Sequence, residues 1–166
     1  MENLLKPGNL VNVGTAQVNT GGVVGNTGLA MKKMGITVCL MGKTGEDEFG
    51  RIIRSILKEY GSEQGLITDP ASSTSYSIVL AMPGIDRIFL HNPGANHTFS
   101  YSDISWEKVE EADLFHFGYP PLMKQMYKDQ GKELSKVFQK ADETGVITSL
   151  DLAAVETDSE PGRENW

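Results

Sequence analysis

The feature that most constrains the fold is one stretch with the pattern of an amphipathic helix. Between residues 49 and 60 the apolar side chains recur at the spacing of one helix face, and Gly61 follows where such a helix would end. The apolar, β-branched run at residues 36–41 is typical of a strand buried on both faces. Strand, turn and helix in this order predict a βαβ unit with parallel strands.

A second unit of the same kind lies near the C-terminal end of the sequence. Residues 113–118 and 146–151 are apolar runs that predict two further buried strands. Residues 120–145 between them predict a long helix that starts near a proline, with Gly131 as its weak point. Two such units indicate an α/β fold with a mostly parallel sheet.

Two segments do not fit this parallel pattern. Residues 9–19 alternate apolar and polar positions, which predicts a strand exposed on one face. Residues 72–82 and 86–92 are two strand-like runs joined by a turn sequence, which predicts a hairpin. We expect residues 9–19 and 72–92 to form a small antiparallel sheet or flap beside the parallel one.

Composition limits the protein to one ordinary globular domain. The chain has 166 residues, 39% of them hydrophobic, which is long enough for one core and short for two. Its net charge of −7 and the lack of a Lys/Arg cluster argue against nucleic-acid binding. Neither a membrane-spanning run nor a signal peptide is evident. The lone Cys39 fits a reducing cytoplasm and is expected to be a buried strand residue.

The glycine-rich stretch at residues 19–35 suggests a close approach of a ligand to the backbone. Its pattern from Gly21 to Gly28 is GGxxGxxG, which lacks the spacing of the dinucleotide-binding fingerprint. The GKT sequence at Lys43 also fails as a P-loop, because Thr37 stands where the first glycine should be. Lys43 is therefore expected to be solvated in a turn. The glycines either contact a ligand or only make a tight turn for helix packing.

Metal-binding and nucleophilic constellations are weak. His91, His97 and His116 have no paired spacing, and His116 in its apolar run is expected to be a satisfied core histidine. Asp69 falls in a predicted loop. Asp151 ends a predicted parallel strand, where ligands of open α/β sheets gather, although an N-cap or turn role explains it as well.

Four segments together resemble the ribokinase-like (PfkB) carbohydrate kinases: GGVVGNTGLAMKKMG, ITVCLMGKTGEDEFG, the helix ending in KEYG, and HNPGAN. The family's first signature combines paired glycines, an asparagine four residues on, a helix ending in glycine, a strand, and Gly-x-x-Gly-x-Asp-x-x-Gly. The matching positions are Gly21, Gly22, Asn26, Gly28, Gly35, Gly42, Gly45, Asp47 and Gly50. Weaker matches continue through Thr74, Gly94, Ala95, Asn96 and Asp151. The chain is thus similar to the N-terminal half of such a kinase.

The resemblance implies a doubly wound α/β core with a small β lid that closes over the phosphoryl acceptor and forms a homodimer contact. Gly21 and Gly22 would let a sugar or nucleoside lie against bare backbone, and Asn26 would offer it a donor and an acceptor. Tyr76 and Phe89 of the lid would cover the sugar, although strand packing explains both residues equally well.

The resemblance also has departures that bear on catalysis. Asp151 resembles the aspartate of the family's Asp-x-Asn segment near the ATP phosphates, but Ala153 stands where the asparagine is expected. The family's first core strand should precede Asn9, and its C-terminal segment with the catalytic base and adenine pocket does not occur. We therefore expect residues 1–166 to be a single incomplete domain, without a catalytic residue or activity of its own. ATP and Mg would serve the complete enzyme and would not bind tightly to this chain.

Three functions remain to be compared. The first is the acceptor-binding half of an ATP-dependent sugar or nucleoside kinase. The second is a non-catalytic module for sugar binding or oligomerisation that is derived from the same fold. The third is an unrelated nucleotide-binding α/β protein, which the failed P-loop and dinucleotide spacings disfavour.

Overall fold

The computed structural model describes residues 6–82, 84 and 86–164, and within them it shows two parallel βαβ units and one antiparallel hairpin. The helices are α1 (Leu29–Lys33), α2 (Glu48–Glu59), α3 (Trp106–Glu110) and α4 (Lys124–Thr144). The strands are β1 (Gly42–Gly45), β2 (Leu66–Asp69), β3 (Tyr76–Leu80), β4 (Ile88–Asn92), β5 (Leu114–Gly118) and β6 (Ile147–Asp151). The predicted α/β class with mostly parallel pairing is confirmed, although the described strands form three two-stranded sheets and not one continuous sheet.

The first unit is β1–α2–β2, and its helix has clear start and stop signals. Asp47 caps α2 because its Oδ1 accepts a hydrogen bond of 2.9 Å from the amide of Gly50. Gly61 follows the end of the helix with φ of +58°, a conformation that favours glycine. Leu57 on the inner face is fully buried against Leu29 and Leu40. The helix predicted at residues 49–60 is confirmed.

The second unit is β5–α4–β6, and it contains the larger hydrophobic core. Seven buried side chains form that core: Phe99, Ile104, Val109, Phe117, Met123, Met126 and Val137. The long helix is interrupted at residues 128–131, where Asp129, Gln130 and Gly131 all have positive φ. The weak point predicted at Gly131 is confirmed. Within the described part of the chain, no helix is long and apolar enough to cross a membrane.

Two strand predictions are wrong, and both fail for lack of a partner strand. Residues 9–19 are exposed and form no strand, and residues 36–41 form none either. Strand β1 lies instead at Gly42–Gly45, within the predicted turn, because that stretch pairs with Leu66–Asp69. Backbone N–H and C=O groups need such a partner, which an apolar pattern does not specify. Cys39 is consequently exposed and not buried, and Leu150 of β6 keeps 44% exposure.

The hairpin at residues 72–92 is confirmed as an antiparallel pair. Strand β3 pairs with β4 from Tyr76 opposite Asn92 to Leu80 opposite Ile88. Two residues of its connecting turn, Pro83 and Ile85, lie outside the described residues. Apolar side chains on both faces of the pair are exposed, which sets the hairpin apart from the two cores.

Candidate functional site

The glycine-rich turn lies against the carboxyl ends of β5 and β6. Gly118 and Asp151 end these two strands and are register partners. A Cβ atom placed on Gly118 would lie 3.4 Å from the Cβ of Asp151 and 3.4 Å from the Cβ of Val23. The turn and Asp151 therefore meet at one edge of the sheet, the edge at which open α/β folds bind ligands.

The glycines of this turn divide into two groups with different roles. Gly25 and Gly28 are packed, because a Cβ on Gly25 would lie 2.7 Å from the backbone of Thr20 and one on Gly28 would overlap Leu40. Gly21 and Gly22 are exposed, and apart from their chain neighbours no heavy atom of the described residues lies within 4 Å of a Cβ built on either. Gly22 also has φ of +64°. The packing interpretation fits the first pair. The second pair leaves open backbone directly before Val23, the residue that lies against Gly118.

Asn26 lies in a short π-helical segment, Val24–Gly28, that leads into α1. Its side chain is exposed, and its amide makes no hydrogen bond with the residues that the structure describes. The described residues therefore leave this amide free to donate and accept hydrogen bonds.

The two hairpin residues that were expected to cover a ligand lie on opposite faces of the hairpin. Tyr76 stacks on Phe49 of α2 with ring centroids 4.9 Å apart. Phe89 pairs with Val79 on the other face, is 55% exposed, and has the Arg87 guanidinium 5.4 Å from its ring centroid. In this orientation of the hairpin, one ligand on one face can contact only one of the two rings.

A network of short contacts ties the hairpin to the turn before α2. Oδ2 of Asp47 accepts a hydrogen bond of 2.7 Å from the amide of Thr74, and Oγ1 of Thr74 accepts one of 2.9 Å from the amide of Gly45. Thr74 is 1% exposed. Hydrogen bonding by Thr74 is the main cause that holds the pKa of Asp47 below its usual range. Sequence spacing did not link these residues, which lie 27 and 29 positions apart.

Lys43 is not a solvated turn residue, so that prediction is wrong. It lies in β1 with a side chain that is 12% exposed, and its Nζ is 3.0 Å from Oδ2 of Asp103 and 4.0 Å from Oδ2 of Asp69. It also donates to the carbonyl oxygen of Thr98 at 3.1 Å. An ammonium held in this way is not available to a nucleotide phosphate, which agrees with the failed P-loop spacing.

The remaining polar candidates have structural partners. His116 shares a hydrogen bond of 3.0 Å with Ser149 through Nδ1, but its buried Nε2 has no partner among the described residues, which therefore satisfy only half of the ring. Asp69 ends β2 and accepts bonds from Ser72, Ala71 and Thr98, which lower the pKa of its carboxyl group. No group of three His, Cys, Asp or Glu side chains within the described ranges could hold a metal ion.

One family model matches almost the whole chain, and sequence relatives carry names of the same kind. The family model described as "pfkB family carbohydrate kinase" matches residues 2–158. Over 134 residues the chain is 30% identical to the probable fructokinase-6, chloroplastic, of Arabidopsis thaliana, covering 79% of this chain and 34% of that protein. Fructokinase-1 of Oryza sativa subsp. japonica is 27% identical, with 79% of this chain and 41% of that protein covered.

Solved structures of sugar kinases share the fold. A fructokinase with bound ATP from Xylella fastidiosa has a TM-score of 0.71 and 23% identity, covering 86% of this chain and 45% of that one. An uncharacterized sugar kinase from Pyrococcus horikoshii also has a TM-score of 0.71, with 22% identity and coverage of 93% and 50%. The chain spans between a third and a half of these proteins. With the family model matching nearly its whole length, the chain belongs to the pfkB family of carbohydrate kinases.

Proposed function

We propose that this chain is the acceptor-binding part of an ATP-dependent sugar kinase. The observation that carries the proposal is the open backbone at Gly21 and Gly22, in the turn whose Val23 lies against Gly118 at the carboxyl end of β5. The exposed amide of Asn26, which the described residues leave without a hydrogen bond, follows four residues later. In the complete protein the γ-phosphoryl group of Mg-ATP would pass to a sugar hydroxyl. We propose that the chain of 166 residues does not catalyse this step alone.

Each residue of the site would have a separate role. Gly21 and Gly22 would let the sugar ring lie against main-chain atoms, because no side chain stands in the way. Asn26 would donate to one sugar hydroxyl and accept from another. Asp151 would lie near the phosphates of ATP, and its charge would orient the groups around them. It would not take part in making or breaking a bond.

A ketohexose such as fructose is the acceptor that we propose to test first, because the two relatives described above are named fructokinases. The hairpin would act as the lid of this site, with either Tyr76 or Phe89 facing the sugar. A nucleoside acceptor remains the alternative within the same proposal. A cytoplasmic location is also part of the proposal and rests on composition alone.

A second candidate function is a non-catalytic binding or oligomerisation module. The exposed apolar side chains of the hairpin favour it, since Ile78 is 51% and Leu90 52% exposed on one face. Two copies could pair through this face to form a homodimer. Sedimentation equilibrium of the parent and of Leu90→Lys would separate the two states, because only a dimer formed through this face should dissociate.

Thermal unfolding in the presence of a sugar panel tests the proposed acceptor site. At a free sugar concentration of 100 times Kd, binding should stabilise the parent by about 2.7 kcal/mol, which is roughly 5–10 °C in a domain of this size. Asn26→Ala should reduce this shift, and Asn12→Ala, an exposed asparagine outside the site, should retain it. Equal shifts in the parent and in Asn26→Ala would refute the role of Asn26. Phosphorylation of any sugar by the chain alone would refute its proposed inactivity.

A further inference from the structure

The two ends of the hairpin β3–β4 attach it to neighbouring segments of the chain. Among the described strands, β3 and β4 pair only with each other. Only Ser75 lies between Thr74 and the start of β3, and only Pro93 lies between the end of β4 and Gly94. Any movement of Thr74 or Gly94 is therefore passed directly to the strands of the hairpin.

These two connecting segments are also bonded to each other. The amide of Ala95 donates to the carbonyl oxygen of Ser73 at 2.7 Å. Gly94 has φ of +45°, and a Cβ built on it would lie 2.8 Å from the amide nitrogen of Ser75, so a side chain would disrupt the contact. Because both ends of the hairpin meet here, one attachment point can set the orientation of the whole hairpin.

One such attachment point is the turn before α2. It holds Thr74 from two sides, since the Asp47 carboxylate accepts from its amide and the Gly45 amide donates to its hydroxyl. Next to these polar contacts, Phe49 in the first turn of α2 stacks on Tyr76, the first residue of β3. The hairpin is thus fixed to one turn of the chain by a buried polar contact and an aromatic contact.

We propose that Asp47 is a positioning residue, which acts through Thr74 to hold the hairpin in one orientation, the orientation in which it would cover the acceptor of the proposed function. The part of this proposal that concerns a bound acceptor rests on the proposed function. The part that concerns the attachment of the hairpin does not. The two carboxylate oxygens have different partners, because Oδ1 caps α2 through the Gly50 amide and Oδ2 holds the Thr74 amide.

This division allows one variant to separate helix capping from hairpin attachment. Serine caps helices as well as aspartate does, but it has a single, shorter oxygen that cannot also reach Thr74. Asp47→Ser should therefore keep α2 and release the hairpin, whereas Asp47→Ala should weaken both. Val137 is fully buried in the hydrophobic core of the β5–α4–β6 unit. Val137→Ala is therefore the control for a general loss of stability.

Amide hydrogen exchange at short labelling times is the measurement. In Asp47→Ser the amides of β3 and β4 should exchange roughly ten- to a hundredfold faster than in the parent, because a hydrogen bond to a carboxylate is lost. The amides of α2 should keep their parental rates. In Val137→Ala the ratio of the hairpin's amide exchange rates to those of α4 should not exceed the ratio in the parent. Unchanged hairpin rates in Asp47→Ser would overturn the proposal, and so would equal acceleration of α2.

A second arm uses fructose as the probe and connects the attachment to binding. If fructose stabilises the parent, Asp47→Ser should lower its apparent affinity together with the hairpin's protection, whereas Asn26→Ala should lower the affinity alone. Parental affinity in Asp47→Ser would overturn the positioning role. If fructose and the other sugars leave the parent unaffected, the proposed function fails, and hydrogen exchange still decides whether Asp47 holds the hairpin.

Discussion

Replacing Lys43 by methionine tests the contact that departs most from expectation based on sequence. Lys43 and Asp103 retain only 12% and 13% side-chain exposure, and their charged atoms are 3.0 Å apart. The same ammonium donates to the carbonyl oxygen of Thr98. It therefore links β1 to the segment at residues 98–103, some 55 to 60 positions away along the chain.

The expected loss of stability follows from how deeply the ion pair of Lys43 and Asp103 is buried. Removing one partner of a fully buried ion pair costs about 3–5 kcal/mol, because an unpaired charge remains. Here the cost should be smaller, since both side chains keep some solvent contact and Asp103 still accepts a 2.8 Å bond from the amide of Ser100. We expect Lys43→Met to lower the free energy of unfolding by about 2–3 kcal/mol, or Tm by roughly 5–10 °C.

Urea unfolding followed by circular dichroism measures this difference. Lys132→Met, an exposed lysine on α4, is the matched control and should stay within about 0.5 kcal/mol of the parent. Adding Asp103→Asn to Lys43→Met should recover part of the loss, because the uncompensated charge is gone while an acceptor for Ser100 remains. If Lys43→Met behaves like Lys132→Met, the lysine is solvated and our reasoning about the ion pair is refuted.

Two further predictions concern the turn that holds the hairpin. Gly45→Ala should destabilise the protein by about 1–3 kcal/mol in urea unfolding, because its Cβ would overlap the carbonyl oxygen of Ser72 and lie 2.7 Å from the amide nitrogen of Thr74. Gly14→Ala, in open space, should have no such cost, and equal effects would contradict this account. Hydrogen bonding by Thr74 lowers the pKa of Asp47. The contribution of the Asp47 carboxylate to the free energy of unfolding should therefore be complete above the ordinary aspartate pKa, and it should be lost as pH falls through the lowered pKa. The difference in free energy of unfolding between the parent and Asp47→Asn should therefore shrink in acid. A difference independent of pH would argue against this role of the Asp47 carboxylate.

The sequence by itself determined the elements whose causes are local. The period of apolar residues and a following glycine predicted α2, and alternation around a turn predicted β3 and β4. Gly131 predicted the interruption of α4 because glycine weakens a helix wherever it stands. The glycine and asparagine spacing also identified the family, which the comparisons confirmed.

Only the tertiary structure decided which segments are paired and buried. The apolar run at residues 36–41 has the composition of a strand, but β1 formed directly after it, at Gly42–Gly45, where β2 supplies the partner. Lys43 and Asp47 showed the same limit. Lys43 is paired with Asp103, 60 positions away along the chain, and Asp47 is bonded to Thr74, 27 positions away. Periodicity and capping act over a few residues, whereas burial and long-range hydrogen bonds depend on which distant segments come together.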